Sequence, residues 1–183
     1  MAKKIVLLVL ALCMVMGTVA MASASAETMG TGVYTQLTKV ENAYELDGDL
    51  YDGAIELEST VCTVVLDENN VIKSIRFDMT QGKFAINAKG EVIKGGAKGD
   101  VIASKVELKE NYGMVAYANA PAGEWYVQAK AFEDYCVGKT VEEVLGVELG
   151  ADGKLVDADV KATCSIIVSS FVQALQIAVA NAR

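Results

Sequence analysis

Between Asp157 and Ser165 the chain reads Asp-Ala-Asp-Val-Lys-Ala-Thr-Cys-Ser, and here residue types and spacing could do chemistry. An acid is followed, six residues on, by the Thr163 hydroxyl in an Ala162-Thr163 step between Lys161 and Ser165. Ile166-Ile-Val168 then leads into an apolar stretch, and no charged side chain occurs between Lys161 and Arg183. A hydroxyl placed at the mouth of a buried segment serves either as a plain hydrogen-bonding joint where a strand enters a helix or as an attachment point for a cofactor. Tyr112-Gly-Met114, Trp125 and Tyr126 add aromatic and thioether groups. Tyr112 and Trp125 could stack on a flat ring, although Trp125 and Phe132 at helical spacing also suit a core.

The chain contains no histidine. That excludes Ser-His and Cys-His catalysis and His-ligated metals. Chemistry must come from carboxylates, from Lys or Tyr, or from a bound cofactor. No spacing singles out a carboxylate pair or a Ser–Lys dyad, so an independent hydrolase has little support. Asp47, Asp49 and Glu58 stand at positions 1, 3 and 12 of a calcium-loop template, but Asp52 occupies the position that needs glycine, so an acidic surface turn is expected and no metal site. Lys94-Gly-Gly-Ala-Lys-Gly99 matches neither a phosphate-binding loop nor a dinucleotide fingerprint and reads as a hairpin connection.

The elements that must position these groups begin with a leader. Lys3 and Lys4 precede the apolar run Ile5 to Ala22, and Ala24-Ser-Ala26 is a signal-peptidase pattern. A signal peptide over 1–26 and a single domain over 27–183 are expected, placing the protein outside the cytoplasm or in the cell envelope. Loss of Lys3 and Lys4 takes the formal charge from −8 to −10. Such an acidic chain is not expected to bind nucleic acid or anionic membrane directly. Cys62, Cys136 and Cys164 fit three buried thiols, with one disulfide and a free thiol as the alternative.

Along the expected mature chain, Gly32–Val40 alternates as a strand. Thr60–Leu66 and Val71–Phe77 form a hairpin turning at Asp67–Asn70, and Lys83–Ile86 with Glu91–Ile93 form a second turning at Asn87–Gly90. The period then changes. Trp125, Ala129, Phe132 and Cys136 share a helical face ending at Gly138, and Thr140-Val-Glu-Glu143 is a capping box for a short helix ending near Gly146. Ser170-Phe-Val-Gln173 reads as a further capping box opening the last helix, with Phe171, Leu175 and Val179 facing the core. Strands first and helices later describe an α+β domain: an antiparallel sheet built from hairpins, packed by helices from the second half.

The closing motif, together with Asp49–Gly53, Val61–Leu66, Asn70–Phe77, Tyr112–Met114, Glu124-Trp125 and Gly138–Val144, resembles the FMN-binding domain family in its small exported bacterial members. In that family's flavinylation signature an aspartate precedes Ser or Thr, then Gly, Ala and the accepting Thr or Ser. The resemblance implies a flavin electron-transfer protein working with membrane or extracytoplasmic redox partners. Thr163 would hold FMN through a phosphoester, Asp157 would support its attachment, and Lys161, Ala162 and Ser165 would lie beside it. Tyr112 and Trp125 would be ring contacts. Val160 and Lys161 stand where the signature has Ser or Thr and Gly, and Lys161 could pair with the phosphate of a non-covalent FMN. The alternative is a non-enzymatic exported protein that binds another ligand or a partner on the same scaffold.

Overall fold

The computed structural model describes residues 27–46, 49–95 and 100–183. The expected signal peptide, Asp47 of the calcium template and most of the 94–99 loop lie outside the described residues. Among the described residues six strands, β1 (Thr28–Glu41), β2 (Tyr44–Leu46), β3 (Asp49–Tyr51), β4 (Gly53–Leu66), β5 (Ile72–Ile86) and β6 (Val92–Lys94), precede the helices. The helices are α1 (Lys105–Leu108), a 3-10 turn (Lys109–Tyr112), α2 (Met114–Ala118), α3 (Trp125–Cys136), α4 (Val141–Leu145), α5 (Ala158–Lys161) and α6 (Ser169–Ala180). The protein is thus an α+β fold with an antiparallel sheet ordered β1-β4-β5-β6, and β2-β3 forms a separate hairpin.

Both expected hairpins form, and one device turns each of them. Asp67 accepts bonds from the Asn69 and Val71 N–H groups at 2.9 and 3.0 Å, and Asn70 adopts φ 58°. Asn87 accepts from Lys89 and Glu91, both at 3.0 Å, with Gly90 at φ 81°. A side chain that hydrogen-bonds its own downstream backbone closes the turn locally, which fixes the register before the strands pack. The strands run further than their apolar segments suggest: β4 begins at Gly53 and β5 continues to Ile86.

Alternation buries one face of this sheet. Thr60, Cys62, Val64 and Leu66 of β4 and Ile75, Phe77 and Met79 of β5 meet the helical layer. α3 covers β5, and α6 covers β1 and β4. At the centre Phe77 stacks on Phe171 with ring centroids 4.5 Å apart, and Trp125 meets Phe171 edge-on at 5.6 Å. The free edge of β5 is closed by Ile72–Lys139 and Gly138–Ile72 backbone bonds, each 2.9 Å, and by the buried Glu133 carboxylate, which accepts the Phe77 N–H at 2.8 Å.

α6 lies unusually close to β1. A Cβ added at Gly30 would fall 1.9 Å from the Ala178 carbonyl oxygen, and one at Gly32 would fall 2.2 Å from that of Ala174. The two glycines and two alanines let backbone meet backbone, with no flexible side chain to yield. The last helix starts at Ser169, behind Val168, with no side-chain cap. The expected Ser170–Gln173 capping box therefore does not form, because Ser170 is already inside the helix and buried. Cys62, Cys136 and Cys164 are buried free thiols. Burial pushes all three upward in pKa, Cys136 to about 12 and Cys164 to about 11, so they behave as small apolar side chains at neutral pH.

Gly32→Ala should lower Tm by about 10 °C in a thermal melt, since forcing a methyl against fixed backbone reaches the upper part of the roughly 1–3 kcal/mol cost of overpacking. Thr31→Ala, on the open face, should leave Tm nearly unchanged. Glu133 supplies a second test. Burial raises its pKa above 4.5, outweighing the Phe77 N–H and Arg76 that favour the carboxylate. The stability this group contributes is therefore complete below about pH 4.5 and lost as pH rises through the folded value. Glu133→Gln, which can still accept the Phe77 N–H, should gain in Tm relative to wild type as pH rises past about 4.5. A Tm difference independent of pH would contradict the assignment.

Candidate functional site

Below the α3–α6 core the sheet's packed face continues as Glu58, Met79 and Gln81, and the short helical segments from Lys105 to Ala118 stand over it. Ser104 starts this cover with a capping box: its hydroxyl accepts the Glu107 N–H at 3.2 Å, and Glu107 accepts the Ser104 N–H at 2.9 Å. Gly113, at φ 82°, joins the 3-10 turn to α2, a conformation that L residues rarely adopt. The buried Glu124 carboxylate then holds α2 in place by accepting the Met114 and Val115 N–H groups at 2.8 and 3.0 Å.

Between cover and sheet lies a cleft of about 460 Å³ whose walls include Met79, Met114, Trp125, Ile166 and Ser170. A volume of that order suits a small organic ligand. Lys105 stands in it almost wholly buried, its side chain 6% exposed. Its Nζ is 3.5 Å from Glu58 Oε1, 4.9 Å from the centre of the Tyr112 ring and 5.5 Å from that of Trp125. Gln81 donates to Glu58 at 2.9 Å, and the Tyr112 hydroxyl donates to Gln81 at 3.2 Å. Lys105, Glu58, Gln81 and Tyr112 thus form a closed polar circuit with two aromatic faces turned to the ammonium. A second lobe of about 500 Å³ shares Lys105, Tyr112, Met114 and Ala118.

The far wall comes from the chain's closing segment. Ser165 N–H and Oγ both donate to Gln128 Oε1, at 2.9 and 3.0 Å, while Gln128 Nε2 donates to the Gly123 carbonyl at 2.7 Å. The buried Gln128 therefore fixes the 165 loop to the start of α3. Ser170, 2% exposed, lines the cleft with a hydroxyl that has no partner among the described residues. A buried hydroxyl left unpaired costs about 1–3 kcal/mol unless something arrives to bond it. Lys154 stands at the rim with its ammonium 3.9 Å from Asp152, so the cleft's walls carry two ammoniums, each facing one carboxylate.

The predicted site residues divide into two groups. Tyr112, Trp125 and Ser165 come together in the cleft. Asp157, Lys161, Ala162 and Thr163 lie on the exposed surface just before it. Instead of a strand entering a helix, residues 158–161 form α5, which Asp157 caps by accepting the Asp159 and Val160 N–H groups. Thr163 Oγ donates to the Val160 carbonyl at 3.1 Å, closing that helix. Of the calcium template, Glu58 is paired with Lys105 and Asp49 lies in β3. Among the described residues no cluster of three acidic or Cys side chains is placed to hold a metal.

Sequence patterning does not single out Lys105, and it offers Glu58 as part of a calcium template and Ser170 as a helix cap rather than as walls of one cleft. The available signal was the Ser104-Lys-Val-Glu107 capping box, which sets a helix start at Lys105. A comparison with family models, curated proteins and solved structures finds no match to this chain.

Ser170→Ala separates a waiting ligand contact from a packing residue. Removing an unpaired buried hydroxyl should raise the stability of the ligand-free protein by about 1 kcal/mol in a denaturant titration. A loss of stability would show that the hydroxyl already has a partner.

Proposed function

We propose that this protein is an exported domain that holds a planar anionic ligand non-covalently in the cleft around Lys105. FMN is the specific candidate, and with it bound the protein is an electron carrier outside the cytoplasm. The observation that carries this reading is the buried Lys105 ammonium, set between two aromatic rings beside the unpaired Ser170 hydroxyl. A cation and an orphaned donor in an apolar, ring-lined cleft suit a molecule with a flat face and a negative end.

In this reading Tyr112 and Trp125 contact the ring, and Lys105, Lys154 and Ser170 serve the anionic end. A bound flavin would supply reversible redox chemistry that a chain without histidine does not itself provide. The protein contributes orientation, charge and exclusion of water. Thr163 and Asp157 favour a second reading, a ligand-binding protein with no flavin and no enzymatic role. Their polar atoms are engaged in closing and capping α5, and both residues lie on the exposed surface rather than in the cleft.

Protein exported by a host that carries a flavin transferase should be yellow, or become so on addition of FMN, with an intact mass that shows no covalent adduct. Lys105→Met should weaken FMN binding about 10- to 100-fold, the loss expected for one charge-assisted contact. A colourless protein that takes up no added FMN contradicts the flavin assignment and leaves the second reading. An adduct lost in Thr163→Ala contradicts non-covalent binding.

A further inference from the structure

The sheet has a second face, which no helix among the described residues covers. On β1 it presents Met29, Thr31, Val33, Thr35 and Leu37. The register shift between Leu37 and Lys39 then brings Val40 opposite Ile55 on the same side. β4 adds Ile55, Leu57, Ser59, Val61, Thr63 and Val65. Met29, Val33, Leu37 and Val40 are each more than half exposed. Twelve residues of two adjacent strands therefore present no charge, in a protein whose formal charge is −8 before loss of its leader.

The polar groups on this face are turned inward upon one another. Thr31 and Thr63 hydroxyls meet at 3.3 Å, and Thr35 and Ser59 at 2.9 Å. On the third strand, Arg76 pairs with Glu133 at 3.3 Å, and the Asp78 carboxylate accepts the Met79 and Val106 N–H groups at 2.7 and 3.2 Å. Away from Arg76, whose side chain stays 63% exposed, the face can thus lose water without stranding a charge or most of its hydroxyls, the condition for a dry interface.

We propose that this face is the contact between two copies of the chain, packed sheet on sheet about a twofold axis. Two acidic molecules repel everywhere else, and this surface is where they can approach without opposing carboxylates. A basic partner would require free acidic groups, and Asp78, the carboxylate on the third strand, already accepts two backbone N–H groups. Alternating apolar and hydroxyl rows are self-complementary, as an isologous contact needs. Strands of 14 residues span about 46 Å, and three strands about 14 Å, so full overlap buries roughly 1,300 Å² over both copies, within the range of stable interfaces.

The test is sedimentation velocity on the chain as secreted by an exporting host, from about 1 to 200 µM. Wild type should be dimeric in the upper part of that range. Val33→Glu/Leu37→Glu, which places carboxylates across the twofold axis, should raise the dimer dissociation constant at least about 100-fold. Both positions are exposed in the single chain, so its melting curve and circular dichroism should be preserved. A wild-type protein monomeric throughout overturns the proposal, and so does a dimer that survives both substitutions, which would locate the contact elsewhere. Cosedimentation of monomer with neutral phosphatidylcholine vesicles, abolished by the same substitutions, would assign the face to lipid and overturn it as well.

Discussion

The backbone-to-backbone seat of the last helix on β1 is the constraint on which the molecule depends. Gly30 and Gly32 leave no side chain between strand and helix, and Ala174 and Ala178 present only methyl groups. Because α6 sits that low, Phe171 reaches Phe77 and Trp125 at stacking distance, and the start of the helix, with Ser170, is carried to the cleft. One close contact thus sets the core and one wall of the site together. A helix raised by a single methyl would loosen the aromatic cluster and move the Ser170 hydroxyl.

The rest of the site is held by polar side chains rather than by packing. Glu124 fixes α2, Gln128 fixes the 165 loop, and Gln81 joins Glu58 to Tyr112. Burying a lysine is costly unless it is compensated. Here a carboxylate at 3.5 Å and two ring faces provide that compensation. Such groups are costly to bury, and apolar residues would fill the space with less penalty. Their presence in a cleft, beside an unpaired hydroxyl, is the ground on which a ligand site is proposed there.

Much of the fold was legible in local chemistry. Asp67 and Asn87 with their following αL residues made the hairpins readable, and the Trp125–Cys136 face and the Thr140 box made two helices readable. The last helix is legible but its start is not, since Ser170 has capping chemistry and yet packs inside the helix. The segments from Lys105 to Ala118 are not legible because four- and five-residue helices carry no periodicity. The site was legible in part for the same reason. Tyr112, Trp125 and Ser165 have types that suggest binding, whereas Lys105 and Glu58 acquire their role only when β4 and α1 meet, which no local pattern records. Asp157 and Thr163 stood in a recognisable spacing, and that spacing also makes a capped turn of helix.

The chain's single tryptophan lies in the cleft wall, which permits a direct test of the central claim that this cleft is a binding site for a planar anion. The measurement is Trp125 fluorescence during titration with FMN, in wild type and in Lys105→Met. Saturable quenching in wild type, shifted at least about tenfold to higher concentration in the variant, is the predicted result. Tryptophan emission that changes only linearly with added FMN, and identically in both proteins, would contradict it.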